Sequence, residues 1–343
     1  MEYDKSAAMS GNCKLNTMIG IASLMHFLVD GLCICALYLM VNNFCIAEAF
    51  AVFMTYNVLA FMTQPFTGIW VDKLRNKHLV LLVSCISLAL AVLMTALVVA
   101  LPQLQVSLTA VMSVSVLLGM GNSMFHVWGG KQTVIRKGND MRHIGVFVST
   151  GALGLAVGFV LCSWALLYIF LLSICVLGFI FVKMELDMKF AQMTEVKGSE
   201  SDGNDPESPS WGKAVVCLAI IAIAAFVLFR SFVGESISSG IHKDNLLLLI
   251  FAAVAMAGKM AGGWIARYSG IIWSTSIFIL GAMTCYFLKS EGMTTVLIGL
   301  FLINCTMPVT LYLANCLLKE REGLAFGILA AALIPGYLLA NFL

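Results

Sequence analysis

Long apolar runs separated by short polar turns govern this chain. Eleven of them read as helices, at about 17–40, 46–70, 79–101, 106–128, 143–163, 165–183, 212–234, 245–266, 271–288, 293–316 and 322–342. Most approach the roughly 20 residues that a helix rising 1.5 Å per residue needs to cross a bilayer. The runs are continuous rather than alternating, which excludes a transmembrane β-barrel, the other structure that satisfies its backbone within lipid. The expected fold class is all-α: a polytopic membrane protein of about eleven transmembrane helices.

One stretch breaks the rhythm. Gly198-Ser199-Glu200-Ser201-Asp202-Gly203-Asn204-Asp205-Pro206-Glu207-Ser208-Pro209 is polar, acidic and rich in Gly, Ser and Pro, a composition that favours disorder. It divides the chain into an N-terminal six-helix bundle (1–184), a cytoplasmic disordered linker (185–211) and a C-terminal five-helix bundle (212–343).

Composition agrees with this picture. Hydrophobic residues make up 61% of the chain and charged residues only 11%, against about a quarter charged in soluble domains. With the N-terminus placed in the cytoplasm, 16 of the 20 Lys and Arg residues fall on the cytoplasmic side, as positive-inside orientation requires. The first run carries His26 and Asp30 and is too long for a signal peptide, so it reads as the first membrane helix. The expected location is a plasma or bacterial inner membrane, with the lipid bilayer as partner. The eleven cysteines mostly sit singly inside apolar runs, and Cys33-Ile34-Cys35 is not a metal spacing, so no metal and no cofactor are expected. There is no phosphate-binding G-x-x-x-x-G-K-[ST], no H-E-x-x-H and no G-x-S-x-G, which argues against an enzyme. No basic block points to nucleic acid.

The two halves share features. Gly68-Ile69-Trp70-Val71-Asp72-Lys73 follows the second helix of the first half. Gly262-Gly263-Trp264-Ile265-Ala266-Arg267 follows the second helix of the second half. Asn122 and Asn304 sit at similar places in helices four and ten. Related halves with a site between them are a common transporter plan.

At these residues the chain resembles the major facilitator superfamily. Gly68-x-x-x-Asp72-Lys73-x-Arg75-Asn76-Lys77 is similar to that family's signature loop, with Arg75 in place of its second glycine. His26-Phe27-Leu28-Val29-Asp30, Gly119-Met120-Gly121-Asn122-Ser123-Met124-Phe125-His126 and Arg142-His143 resemble segments of its fosmidomycin-resistance-like branch. The resemblance implies a transporter moving a small, drug-like compound outward. The family has a twelfth helix where this chain ends, so a partner helix or a homo-oligomer is expected to fill that place.

Ionisable groups inside a bilayer need an explanation. His26 and Asp30 are four apart, on one face of the first helix and within about 5 Å of its centre; they are the expected proton-coupling pair. Asn57, Arg230, Lys259 and Asn304 are the expected substrate contacts. Asp72, His126 and Arg142 are the expected conformational gate, with Asp72 capping a neighbouring helix and pairing with a cation. Glycines 151, 154 and 158 in the fifth helix are expected to serve packing. The leading function is a proton-coupled secondary active transporter of a small organic molecule, working by alternating access and exporting its substrate. The alternative is a transporter-like scaffold, receptor or complex subunit that no longer transports.

Overall fold

The computed structural model describes residues 2–42, 44–195 and 212–342. Its membrane helices are α1 (Cys13–Val41), α2 (Ile46–Lys73), α3 (His78–Ala100), α4 (Leu108–Lys137), α5 (Met141–Val160), α6 (Trp164–Met188), α7 (Lys213–Ile237), α8 (Asn245–Ser269), α9 (Ile271–Phe287), α10 (Met293–Leu317) and α11 (Glu322–Phe342). Ten are long and apolar enough to cross a membrane, and α9 is a shorter apolar helix. The protein is an all-α, multi-pass membrane protein.

Two of the boundary differences from the sequence reading bear on the buried polar residues. The helix that contains α6 runs Trp164–Glu195, so residues 185–195, expected in the linker, are helical. The rest of that linker, 196–211, lies outside the described residues. α4 continues nine residues past the expected end at 128. Hydropathy stopped early because Lys131, Gln132 and Thr133 are polar, yet all three are buried.

Three helices are broken inside the membrane, α11 at Ala332 and two others beside the cavity. In α2 a π-helical turn, Val58–Met62, precedes the segment Gln64–Lys73, which carries a proline in its first turn. In α10 the break falls at Thr306, before Met307–Leu317 with Pro308. Proline has no N–H to donate to the preceding turn, and such irregularities recur at functional sites. Residues flanking both breaks line the central cavity described below.

Packing relies on close backbone approach. α1 lies along α5, where Gly154 and Gly158 face the carbonyls of Phe27 and Gly31. Helices α1, α3, α4 and α6 pack together around Phe125, Trp128 and Phe181. Helices α7–α11 form a second set, in which α10 touches α7, α8 and α9.

Two seams join the sets, α5 with α8 and α2 with α11. Glycine lines both. A Cβ on Gly145 would lie 2.7 Å from the Lys259 carbonyl. Gly263 abuts Met141, Gly68 abuts Gly323, and Gly327 abuts the Gln64 carbonyl. Small residues permit this approach in lipid, where association depends on packing rather than on the hydrophobic effect.

Candidate functional site

Asp30 sits at the centre of a buried polar cluster. Its Oδ1 accepts hydrogen bonds from Asn122 Nδ2 and pairs with His126 Nε2, each at 2.9 Å. Its Oδ2 lies 3.3 Å from His26 Nε2. All four residues are buried. The cluster follows from helical spacing: His26 and Asp30 are i,i+4 on α1, Asn122 and His126 are i,i+4 on α4, and the two faces meet.

Glycine makes room for it. A Cβ on Gly151 of α5 would collide with Asp30 Oδ2 and would lie 2.5 Å from His26 Nε2. Gly154 and Gly158 serve helix packing, whereas Gly151 also shapes the site.

The proton arrangement follows from hydrogen-bond chemistry. His26 Nδ1 lies 2.7 Å from the carbonyl oxygen of Phe147. A carbonyl only accepts, so Nδ1 carries the hydrogen. Nε2 then faces Asp30 Oδ2, and two bare lone pairs there would repel. A proton on Nε2 would make this 3.3 Å contact an ion pair. Phe147 also stacks on the His26 ring, with centroids 4.8 Å apart, and His126 meets that ring edge-on at 4.4 Å. The ring is held in place from three sides.

The cluster opens into a cavity. A small inner chamber of about 170 Å³ is lined by His26, Asp30, His126, Arg230, Lys259 and Phe326, among others. It joins a larger space of about 750 Å³ that runs from Asp30 to Glu235, Ser238 and Lys243 at the end where α7 leads to α8. Asn57, Arg230, Lys259 and Asn304 all line this larger space. Asn57 and Asn304 also donate to carbonyls of their own helices, Phe53 at 2.9 Å and Leu300 at 2.8 Å.

The opposite end is closed. Asp72, at the end of α2, accepts from the backbone N–H groups of Gly323 and Leu324, both at 2.9 Å. A carboxylate there caps the start of α11 and meets the positive end of its dipole. Lys131 of α4, itself buried, lies 2.5 Å from Asp72 and 3.4 Å from Glu322. On the other seam, Arg142 grips Asp140 and lies over the Trp264 ring of α8, 5.4 Å from its centroid. Asn139 donates to the Tyr312 carbonyl at 3.1 Å.

His126 sits deeper than the sequence suggested. Its depth in a helix ending at 128 placed it at the gate. Because α4 runs to Lys137, His126 lies well inside the helix and joins Asp30 instead. Asn122 and Lys131 were missed as site residues. The i,i+4 spacing of Asn122 and His126, repeating that of His26 and Asp30, was the signal for the first; Lys131 had none, since its partner Asp72 is on another helix. Arg136 and His78, which meet Glu185 of α6, were also unforeseen; the expected linker had claimed Glu185.

The ligand atoms of His26, Asp30 and His126 lie within 4.8 Å of one another, a spacing that would admit a metal ion. Arg230 and Lys259 line the same chamber, and two cations there weigh against a third.

No family model matches the sequence, and no curated protein matches it. Solved structures do. A variant of the E. coli fucose:proton symporter FucP aligns at a TM-score of 0.59 and 12% identity, covering 96% of this chain and 90% of that one. FucP described as a major facilitator superfamily transporter in the outward conformation aligns at 0.58 and 12%, over 96% and 91%. A bacterial homologue of the iron transporter ferroportin, in an outward-facing state, aligns at 0.54 and 12%, over 94% and 90%. At this identity the likeness shows the fold: the helices are arranged as in major facilitator transporters.

Proposed function

We propose that this protein is a secondary active transporter that moves a small organic molecule by alternating access, coupled to protons through Asp30 and His26. The observation that carries the reading is the buried Asp30 cluster in a cavity between two helix sets, open toward one end and closed at the other. A carboxylate facing an imidazole offers two groups that can take up and release a proton, and an ionisable cluster inside a bilayer points to a functional site.

The bundles 1–184 and 212–343 rock against one another along the glycine seams. The Lys and Arg bias supports an N-terminus in the cytoplasm, with the protein in a plasma or bacterial inner membrane. The cavity then faces outside, and the Asp72 and Arg142 contacts form the closed inner gate. Asn57, Arg230, Lys259 and Asn304 contact substrate. A proton symporter among the fold neighbours supports proton coupling, and the resemblance of the His26, Asn122 and Arg142 segments to the fosmidomycin-resistance-like branch favours export.

The test uses purified full-length protein in liposomes loaded with a pH-sensitive dye, challenged with neutral, anionic and cationic compounds. The expected result is proton movement on adding at least one class, lost in Asp30→Asn. Coupled movement that survives Asp30→Asn would remove Asp30 from the mechanism. A chain that moves nothing yet co-purifies with another membrane protein would instead be a scaffold, receptor or subunit.

A further inference from the structure

Two cations line the cavity without an ion pair among the described residues. Arg230 is only 7% exposed, and its Nη1 has no hydrogen-bond partner among the described residues. Lys259 lines the same chamber, and neither residue forms an ion pair among the described residues. The carboxylate nearest to hand is Asp30, already engaged by Asn122, His126 and His26. Glu235 lies further out, beside Lys243 in the wider part of the cavity.

Taking an unpaired charge out of water is unfavourable. A guanidinium offers a planar fork of donors that matches an acid's two oxygens, and a lysine adds a point charge. Outward from these two groups the walls turn aromatic, with Phe53, Phe159, Phe251 and Tyr337. A volume of about 750 Å³ lies within the ordinary range for a small-molecule site, about 300–1,000 Å³. A neutral sugar would leave both cations bare and face mostly carbon.

We infer that Arg230 and Lys259 form the headgroup subsite for an amphiphilic organic anion, its acid group in the inner chamber and its apolar body against the aromatic walls. The inference rests on the transporter reading for its biological sense but concerns binding alone. The acid group satisfies the Nη1 of Arg230 and offsets both charges. Asp30 stays free to exchange its proton with the His26 side. Substrate and proton thus occupy facing walls of one chamber.

The experiment measures equilibrium binding to the purified full chain in lipid nanodiscs, without a gradient. The probes are naphthylacetate, its neutral amide naphthylacetamide, and naphthylethylamine, with decanoate as an aliphatic acid. The wild type should bind at least one of the acids, and naphthylacetate about tenfold or more tighter than the amide or the amine. Arg230→Met and Lys259→Met should each erase most of that preference, read as the ratio of acid to amide affinity. Arg230→Lys should retain part of it. The inference is overturned if the amide or amine binds as well as the acid, if neither acid binds, or if both Met variants keep the preference. Acid-selective binding in a chain that moves neither solute nor protons would sink the transport reading alone. Proton-coupled flux of an amine would sink this inference alone.

Discussion

The carbonyl oxygen of Phe147 on α5 lies 2.7 Å from His26 Nδ1 on α1, and this contact dictates which ring nitrogen faces Asp30. A glutamine at position 26 keeps an N–H to offer but cannot take up a second proton. His26→Gln should therefore reduce protons moved per substrate at least about tenfold, within the range general acid–base groups contribute. Substrate binding should change by no more than about threefold. Dye-reported proton flux and equilibrium binding, measured on the same preparation, check this. Unchanged proton flux would place the transferred proton elsewhere.

Asp72 holds the closed end through charge and through two backbone hydrogen bonds. Asp72→Asn keeps an acceptor but loses the negative charge facing Lys131 and the start of α11. A cap and its dipole interaction contribute about 0.5–2 kcal/mol, so the closed end should open several-fold more often. Hydrogen exchange at the Gly323 and Leu324 amides reads this directly and should quicken by a similar factor. Protection equal to wild type would mean that packing alone closes this end.

Much of this architecture was legible in the chain. Apolar run length placed eleven helices without reference to packing. His26 and Asp30 stood out because ionisable groups inside an apolar run are costly. Asn122 did not, since a lone amide is ordinary helix glue in lipid; only the meeting of α1 with α4 makes it Asp30's donor. Periodicity alone carries no information about which helices touch, so the seams of α2 with α11 and α5 with α8 were invisible. Lys131 shows the converse failure. Its polarity marked a helix end by hydropathy, yet it is 4% exposed because Asp72 and Glu322 supply its counter-charges from two other helices.

Asp140 lies at the closed end, outside the membrane helices, and caps α5 by accepting from the Arg142 N–H at 2.9 Å. Partial burial alone would raise its pKa, but the hydrogen bonds and charge of Arg142 outweigh that and hold it below the ordinary 3.8. A depressed carboxylate contributes stability above its unfolded pKa and loses it as pH falls through the folded value. Thermal stability should thus be insensitive to this group from neutral pH down to about 4 and decline below that. Asp140→Asn preserves the cap while removing the charge, so it should flatten the acid-side decline by about 1 kcal/mol or less, as befits a partly solvated pair. Thermal unfolding of both proteins across that range tests the sign. A variant that falls as steeply as wild type would assign the decline to other carboxylates.

Gly68 and Gly20 make a matched pair for testing the seam. Both are helical, yet a Cβ on Gly68 would run into the backbone of Gly323 and lies 2.7 Å from Leu324 N, while one on Gly20 meets nothing within 4 Å. Backbone cannot step aside as a flexible side chain can. Gly68→Ala should therefore cost about 1–3 kcal/mol in the closed-end state, the usual penalty of overpacking. Gly20→Ala should be neutral or stabilise by about 0.5–1 kcal/mol through backbone entropy. The loss in Gly68→Ala should appear as faster exchange of the Gly323 and Leu324 amides, because the collision disfavours only the state in which α2 and α11 touch. If both variants unfold together at lower temperature with those amides still protected, the seam is a static packing surface rather than one that opens.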